Sequence, residues 1–111
     1  MKYFIPFKEA IALKNLGFNE HCFATYIGET FDSSVQFTSD DYFTAAPLYQ
    51  QAFSFFREKY GYYPLIEFSE QYKKWLSRHC NTNGSIRAIS VHESYEEAEL
   101  ACLKSIIEIF K

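Results

Sequence analysis

Two His-Cys dipeptides, His21-Cys22 and His79-Cys80, carry the side chains of this 111-residue sequence best suited by type to hold a metal or form a nucleophile. Together they would make up a Cys2His2 set for zinc. Their adjacency opposes that use, because neighbouring residues on a strand project from opposite faces and cannot aim at one ion. Cys22, Cys80 and Cys102 are odd in number and widely spaced, unlike the disulfide framework of a small secreted domain, so reduced thiols in a cytosolic protein are expected. A Cys-His nucleophile built on Cys80 or Cys22 needs a partly exposed thiolate in an electropositive setting. Among the acids, Asp40, Asp41, Glu67 and Glu70 are candidate metal ligands, but Asp40-Asp41 reads as lying just ahead of a helix, where carboxylates serve the cap and the dipole. No Gly-rich phosphate loop, HExxH, CxxC or GxSxG run occurs. The expectation is a non-enzymatic protein with no catalytic, metal or cofactor-binding residue.

The basic residues offer a different chemistry. From Gln71 through His92 no acid occurs, while Lys73, Lys74, Arg78 and Arg87 accompany Tyr72 and Trp75. Cations interleaved with rings are what a single-stranded nucleic acid needs for phosphate neutralisation and base stacking. The formal net charge of -3 points the other way, since an overall negative field does not draw in a polyanion.

These residues must be held by elements joined through short loops, because only four glycines and three prolines punctuate the chain. Hydrophobic residues at 48% allow one sizeable core, and a single domain over residues 1–111 is expected. No run reaches the length of a membrane span, and the opening to Pro6 is not read as a signal peptide. A first helix runs from about Phe7 to Leu16, between Pro6 and Gly17. Cys22 to Ile27 and Val35 to Thr38 read as strands paired across a polar loop from Glu29 to Ser34. A second helix spans Pro47 to Gly61, with Tyr49, Phe53, Phe56 and Tyr60 on one stripe beside Leu48, Ala52 and Phe55. Gln50, Gln51, Ser54, Arg57 and Glu58 form its wet side.

Tyr62 to Phe68 reads as a strand that Pro64 confines to an edge or a strand start. Tyr72, Trp75, Leu76 and His79 fit a helix after a cap at Ser69, yet Asn83-Gly84 marks a hairpin turn. The hairpin is preferred, with strands at about Tyr72 to His79 and Ser85 to Val91. Ser94 and Glu97 form a capping box for a last helix that presents Tyr95, Ala98, Cys102, Leu103, Ile106, Ile109 and Phe110 on one face. Glu99 intrudes on that face and calls for a basic partner. Leu100 and Ile107 fall on the solvent-side flank.

The run from Ala46-Pro47-Leu48-Tyr49-Gln50-Gln51-Ala52-Phe53 through Phe56-Arg57-Glu58-Lys59-Tyr60-Gly61, and Ser94-Tyr95-Glu96-Glu97-Ala98-Glu99-Leu100-Ala101-Cys102-Leu103, resemble short uncharacterised proteins of Bacteroides-group bacteria and their phages. Leu13-Lys14, Gly17-Phe18 and Cys22 extend the resemblance over nearly the whole chain. In that family's usual pattern the position of Phe55 carries tryptophan. The resemblance implies a strand pair before the last helix and a mobile-element or phage setting, and no activity.

The expected architecture is α+β: an antiparallel sheet of four or five strands, covered on one face by the second and third helices, with the short N-terminal helix at an edge. The expected function is a protein-interaction module, self-associating or binding another protein through Leu100 and Ile107, with surplus aromatics in the contact. The second reading is a nucleic-acid-binding accessory protein using Lys73, Lys74, Arg78, Arg87, Trp75 and Tyr72.

Overall fold

A computed structural model describes residues 3–33, 43–83 and 86–111. Its elements in chain order are α1 (Phe7–Asn15), β1 (Ala24–Ile27), β2 (Thr30–Asp32), β3 (Phe43–Ala46), α2 (Tyr49–Tyr60), β4 (Tyr62–Ser69), β5 (Lys74–Asn81), β6 (Ile86–His92) and α3 (Tyr95–Phe110). The fold is α+β with antiparallel pairing throughout. Instead of one sheet of four or five strands, the described strands form two sheets of three, ordered β2-β1-β3 and β4-β5-β6. Two compact units result, residues 1–52 with Lys111, and residues 53–110.

In the first unit, α1 ends as its sequence predicts. The Phe18 and Gly17 amides donate to the carbonyls of Leu13 and Lys14 at 2.9 and 3.1 Å, and Phe18 folds under the helix, nearly fully buried. Val35 to Thr38 lies outside the described residues. Thr30–Asp32, within the stretch expected as a polar loop, is a strand that pairs with β1 across the two-residue turn Gly28-Glu29. That turn requires glycine first: Gly28 has φ +61, and Glu29 has no positive φ, the pattern of a type II′ hairpin turn. On the other side β1 pairs with β3. Asp40 and Asp41, outside the described residues, therefore precede a strand rather than a helix.

The Tyr26 hydroxyl donates to the Ile5 carbonyl at 2.8 Å, and its ring meets Phe7 and Phe31 at centroid distances of 5.3 and 5.7 Å. Ile5 itself is fully buried, and its amide donates to the Pro47 carbonyl at 2.9 Å. The segment before α1 is thereby tied both to the sheet and to the start of α2.

Helix α2 begins at Tyr49, two residues later than Pro47 suggested. Its cap comes from Gln51, whose Oε1 accepts from the Leu48 amide at 3.0 Å while its Nε2 donates to the His21 carbonyl at 3.0 Å. Gln51, assigned to the wet side by periodicity, is thus half-buried and holds two segments. The aromatic stripe is otherwise as expected, with Tyr49, Phe53 and Phe56 buried.

Between α2 and β4 in the second unit, Gly61 has φ +67, and a β-carbon there would come within 2.9 Å of the Thr82 methyl. β4, β5 and β6 follow as a meander, so the ambiguous region is a strand. Its first residues are not: Glu70 to Lys73 form a turn in which Ser69 Oγ accepts from the Tyr72 amide at 3.3 Å and Lys73 adopts φ 55. Ser69 caps a turn in place of a helix, and Tyr72 and Lys73 precede β5. β4 lies at an edge, as Pro64 demands.

α3 crosses β4, β5 and β6, and α1 packs on β3, so the expected pair of helices on one face of one sheet is not formed. The Glu97 amide donates to Ser94 Oγ at 3.2 Å, the predicted cap. Phe110 stacks on Tyr60 at 3.9 Å and meets Phe56 and Tyr62 at 6.1 and 5.0 Å, closing α2 and β4 around the end of α3. The buried face of α3 is Ala98, Cys102, Leu103, Ile106 and Ile107. Ile107 is therefore core, only 5% exposed, whereas Tyr95 and Ile109, assigned to the core, are exposed at the two helix ends. The buried arc spans about 180° on a helical wheel, and Tyr95 and Ile109 fall within it but lie at the two ends of the helix's length.

Because Ile106 is fully buried in this arc, Ile106→Ala should lower stability by about 2 to 5 kcal/mol. A urea unfolding curve whose midpoint does not move would place Ile106 outside the core.

Candidate functional site

The alternation of β4 and β5 sorts the chemistry of the second unit onto two sheet faces. Trp75, Ser77 and His79 face α3. His79 is fully buried, with Nε2 2.8 Å from Ser105 Oγ and its ring 5.7 Å from that of Tyr62. Cys102 Sγ donates to the Arg78 carbonyl at 3.6 Å. Cys80, the neighbour of His79, leaves the other face, as strand geometry requires. Among the described residues no three His, Cys, Asp or Glu side chains converge on a common point.

The thiols differ in reactivity for physical reasons. Burial, with Glu20 nearby, pushes the Cys22 thiol up to about 12 despite a hydrogen bond from Gln51. Burial likewise raises Cys102 to about 11, partly offset by Ser77 and the Leu65 backbone. Neither is a thiolate near neutral pH, so neither is the electropositive, exposed cysteine that nucleophilic catalysis needs.

The face turned away from α3 carries Tyr63, Leu65 and Glu67 on β4 opposite Cys80, Arg78 and Leu76 on β5, with Val91 of β6 opposite Leu76. Here the basic run meets acids that lie outside it in sequence. Arg78 Nη2 is 2.8 Å from Glu67 Oε1, and Lys74 Nζ pairs with Glu93 Oε1. Two of the four proposed phosphate-binding cations are thus neutralised within the fold. Arg87 lies on β6 opposite His79, and its side chain falls outside the described part. Lys73 and Tyr72 sit exposed in the β4–β5 turn. Trp75 is half-buried and packed edge to face between Phe68 and Tyr95, at 5.3 and 5.2 Å, so it is not a free stacking ring.

The proposed contact pair is also rearranged. Leu100 is half-buried and Ile107 is core, so together they make no surface patch. Exposed apolar side chains are found instead at Tyr63, Leu65 and Val91 on the outer face, at Phe68 and Tyr95 around Trp75, and at Tyr72 in the β4–β5 turn. The odd-numbered positions of β4 signal the first set, since Tyr63, Leu65 and Glu67 share one side of any strand through Pro64.

Glu99 has no basic partner among the described groups that act on it. Burial raises its pKa above the usual carboxylate value, Glu96 adds to this, and a hydrogen bond with the Tyr95 hydroxyl, one helical turn back, counters it. Compared with known proteins, the chain matches no family model, no curated protein and no solved structure.

Two expectations follow from these environments. In the native protein a water-soluble disulfide reagent should modify Cys80 rapidly and leave Cys22 and Cys102 untouched until urea exposes them; equal rates at all three would contradict their burial. A carboxyl whose folded pKa is raised favours folding when protonated, so its contribution is complete below the unfolded pKa and is lost as pH rises through the folded one. Glu99→Gln should therefore raise the urea midpoint at about pH 7, with the gain shrinking toward about pH 3. A gain that does not depend on pH would show that ionisation of Glu99 is not the cause.

Proposed function

We propose that this chain is a non-enzymatic protein-interaction module that self-associates through the outer face of β4, β5 and β6. The observation that carries the reading is the group of exposed apolar side chains on that face, Tyr63, Leu65 and Val91, continuous with half-buried Leu76. Contiguous apolar surface on a small domain is characteristic of a contact site. A second copy suits it because the described charges there balance: Arg78 with Glu67, and Lys74 with Glu93. A balanced patch meets its own symmetry mate without net repulsion and can exchange ion-pair partners across a two-fold axis. A nucleic-acid interface would need the same cations free. The family resemblance adds an expected mobile-element or phage setting and leaves the contact itself undefined.

Sedimentation equilibrium should show reversible dimerisation of the full chain, abolished by Leu65→Asp with Val91→Asp and retained in Leu100→Asp. A chain that stays monomeric at every attainable concentration would refute self-association. A mixed-sequence single strand should not bind at moderate salt; binding that persists there, with a slope of about -0.7 in log affinity per phosphate contact against log salt, would favour the nucleic-acid reading.

A further inference from the structure

On the opposite face of the same sheet, where the strands run out past the start of α3, three rings from three elements meet. Phe68 of β4 and Trp75 of β5 are register partners, and Tyr95 is the first residue of α3. Their planes are inclined at 66° and 82°, so each ring presents an edge to its neighbour. Phe68 and Tyr95 are nonetheless 47% and 41% exposed. Ring packing therefore builds a fixed aromatic surface at this corner without covering it.

Two carboxylates of α3 stand beside Tyr95 at this corner, while Lys73 lies exposed in the β4–β5 turn. Glu99 engages the Tyr95 hydroxyl, and Glu96 is close enough to raise it further. Lys74, the nearest cation in sequence to Trp75, leaves the other face of the strand and is taken by Glu93. Aromatic faces carry negative potential and attract cations, most strongly when a carboxylate stands beside them, whereas a phosphate would be repelled by the same acids. The chain already uses this chemistry internally, with the Lys59 ammonium 5.3 Å from the Phe55 centroid.

We infer that the Phe68, Trp75 and Tyr95 cluster, with Glu96 and Glu99 beside it, is a docking point for a lysine or arginine side chain carried by a partner polypeptide. The cation lies against the rings while its charge is met by the Glu99 carboxylate. Its alkyl stem covers the exposed ring edges, as long basic side chains do on apolar surface. This site is independent of self-association, because it occupies the face toward α3 rather than the outer one.

Trp75 is the single tryptophan of the chain, so its emission reports on the site directly. The full-length protein would be titrated with a hexa-arginine peptide, alongside a glycine-serine peptide of equal length and oligothymidylate. A saturable change in emission is expected with hexa-arginine alone. Glu99→Gln should weaken it at least about threefold, a loss in the range of one ion-assisted ring contact. Tyr95→Leu, which keeps the site apolar and the helix intact, should weaken it similarly. Glu58→Gln removes an equal charge from the exposed side of α2 and should have no effect. The proposal is overturned if Glu58→Gln and Glu99→Gln weaken binding equally, because attraction to net charge would then suffice. It is equally overturned by a response to the neutral peptide or to oligothymidylate that matches the response to hexa-arginine. Repeating the titration in the monomeric Leu65→Asp, Val91→Asp protein separates the two surfaces: binding unchanged there supports an independent site, and binding lost there refutes it.

Discussion

A histidine placed on the covered face of a sheet must find a hydrogen-bond partner, because an unsatisfied polar group in the interior costs about 1 to 3 kcal/mol. His79 finds Ser105 of α3 at 2.8 Å, and much of the second unit follows from that pairing. With Ser105 held at one edge, the helix turns Cys102, Ile106 and Leu103 to the sheet, and Ile107, about 200° around the helix from Ser105, is buried at the opposite edge of the arc. Tyr95 and Ile109 are left exposed at the two ends of the helix. The same register brings Tyr95 to Trp75 and Phe110 to Tyr60 and Tyr62, so both aromatic clusters are set by one rotation of one helix.

The other face of the sheet is governed by cross-strand pairing. Glu67 and Arg78 are not direct register partners; each is displaced by two residues from the other's neighbour, the diagonal spacing at which long side chains meet. As a half-exposed ion pair it adds no more than about 1 kcal/mol to stability. Its larger effect is on function, because it takes an arginine out of the pool available to an anionic partner. Two faces of one small sheet thus acquire different characters, one balanced and apolar, the other aromatic with acids at its edge.

In the first unit the comparable constraint is the buried Tyr26 hydroxyl, satisfied by the carbonyl of Ile5. That bond ties the segment before α1 to β1, and Gln51 adds a second tie between the α2 cap and His21. Both are single side chains bridging segments more than twenty residues apart, and neither belongs to any short motif.

Local rules were legible in the sequence. The Gly17-Phe18 ending of α1, the Ser94 cap of α3, the aromatic stripe of α2 and the edge position demanded by Pro64 each depend on residues within one helical turn or on the chemistry of one residue. The hairpin of β5 and β6 was legible for the same reason, since alternation and a turn signal lie within one continuous stretch. The grouping of strands was not, because hydrogen bonding between strands leaves no mark on the strands themselves, and a list of strands in chain order merges into one the two sets that lie before and after α2 in sequence. Nor was the neutralisation of Lys74 and Arg78. A run without acids looks uniformly basic until pairing brings Glu67 alongside and the chain after β6 delivers Glu93. The burial of Ile107 escaped the helical wheel because a wheel sets the width of an arc from composition alone, while the tertiary structure extends it to Ile107, on the side of the helix away from Ser105. Periodicity measures what a residue is relative to its neighbours in the chain; only packing of α3 on β5, anchored by Ser105 and His79, decides which of those residues water can reach.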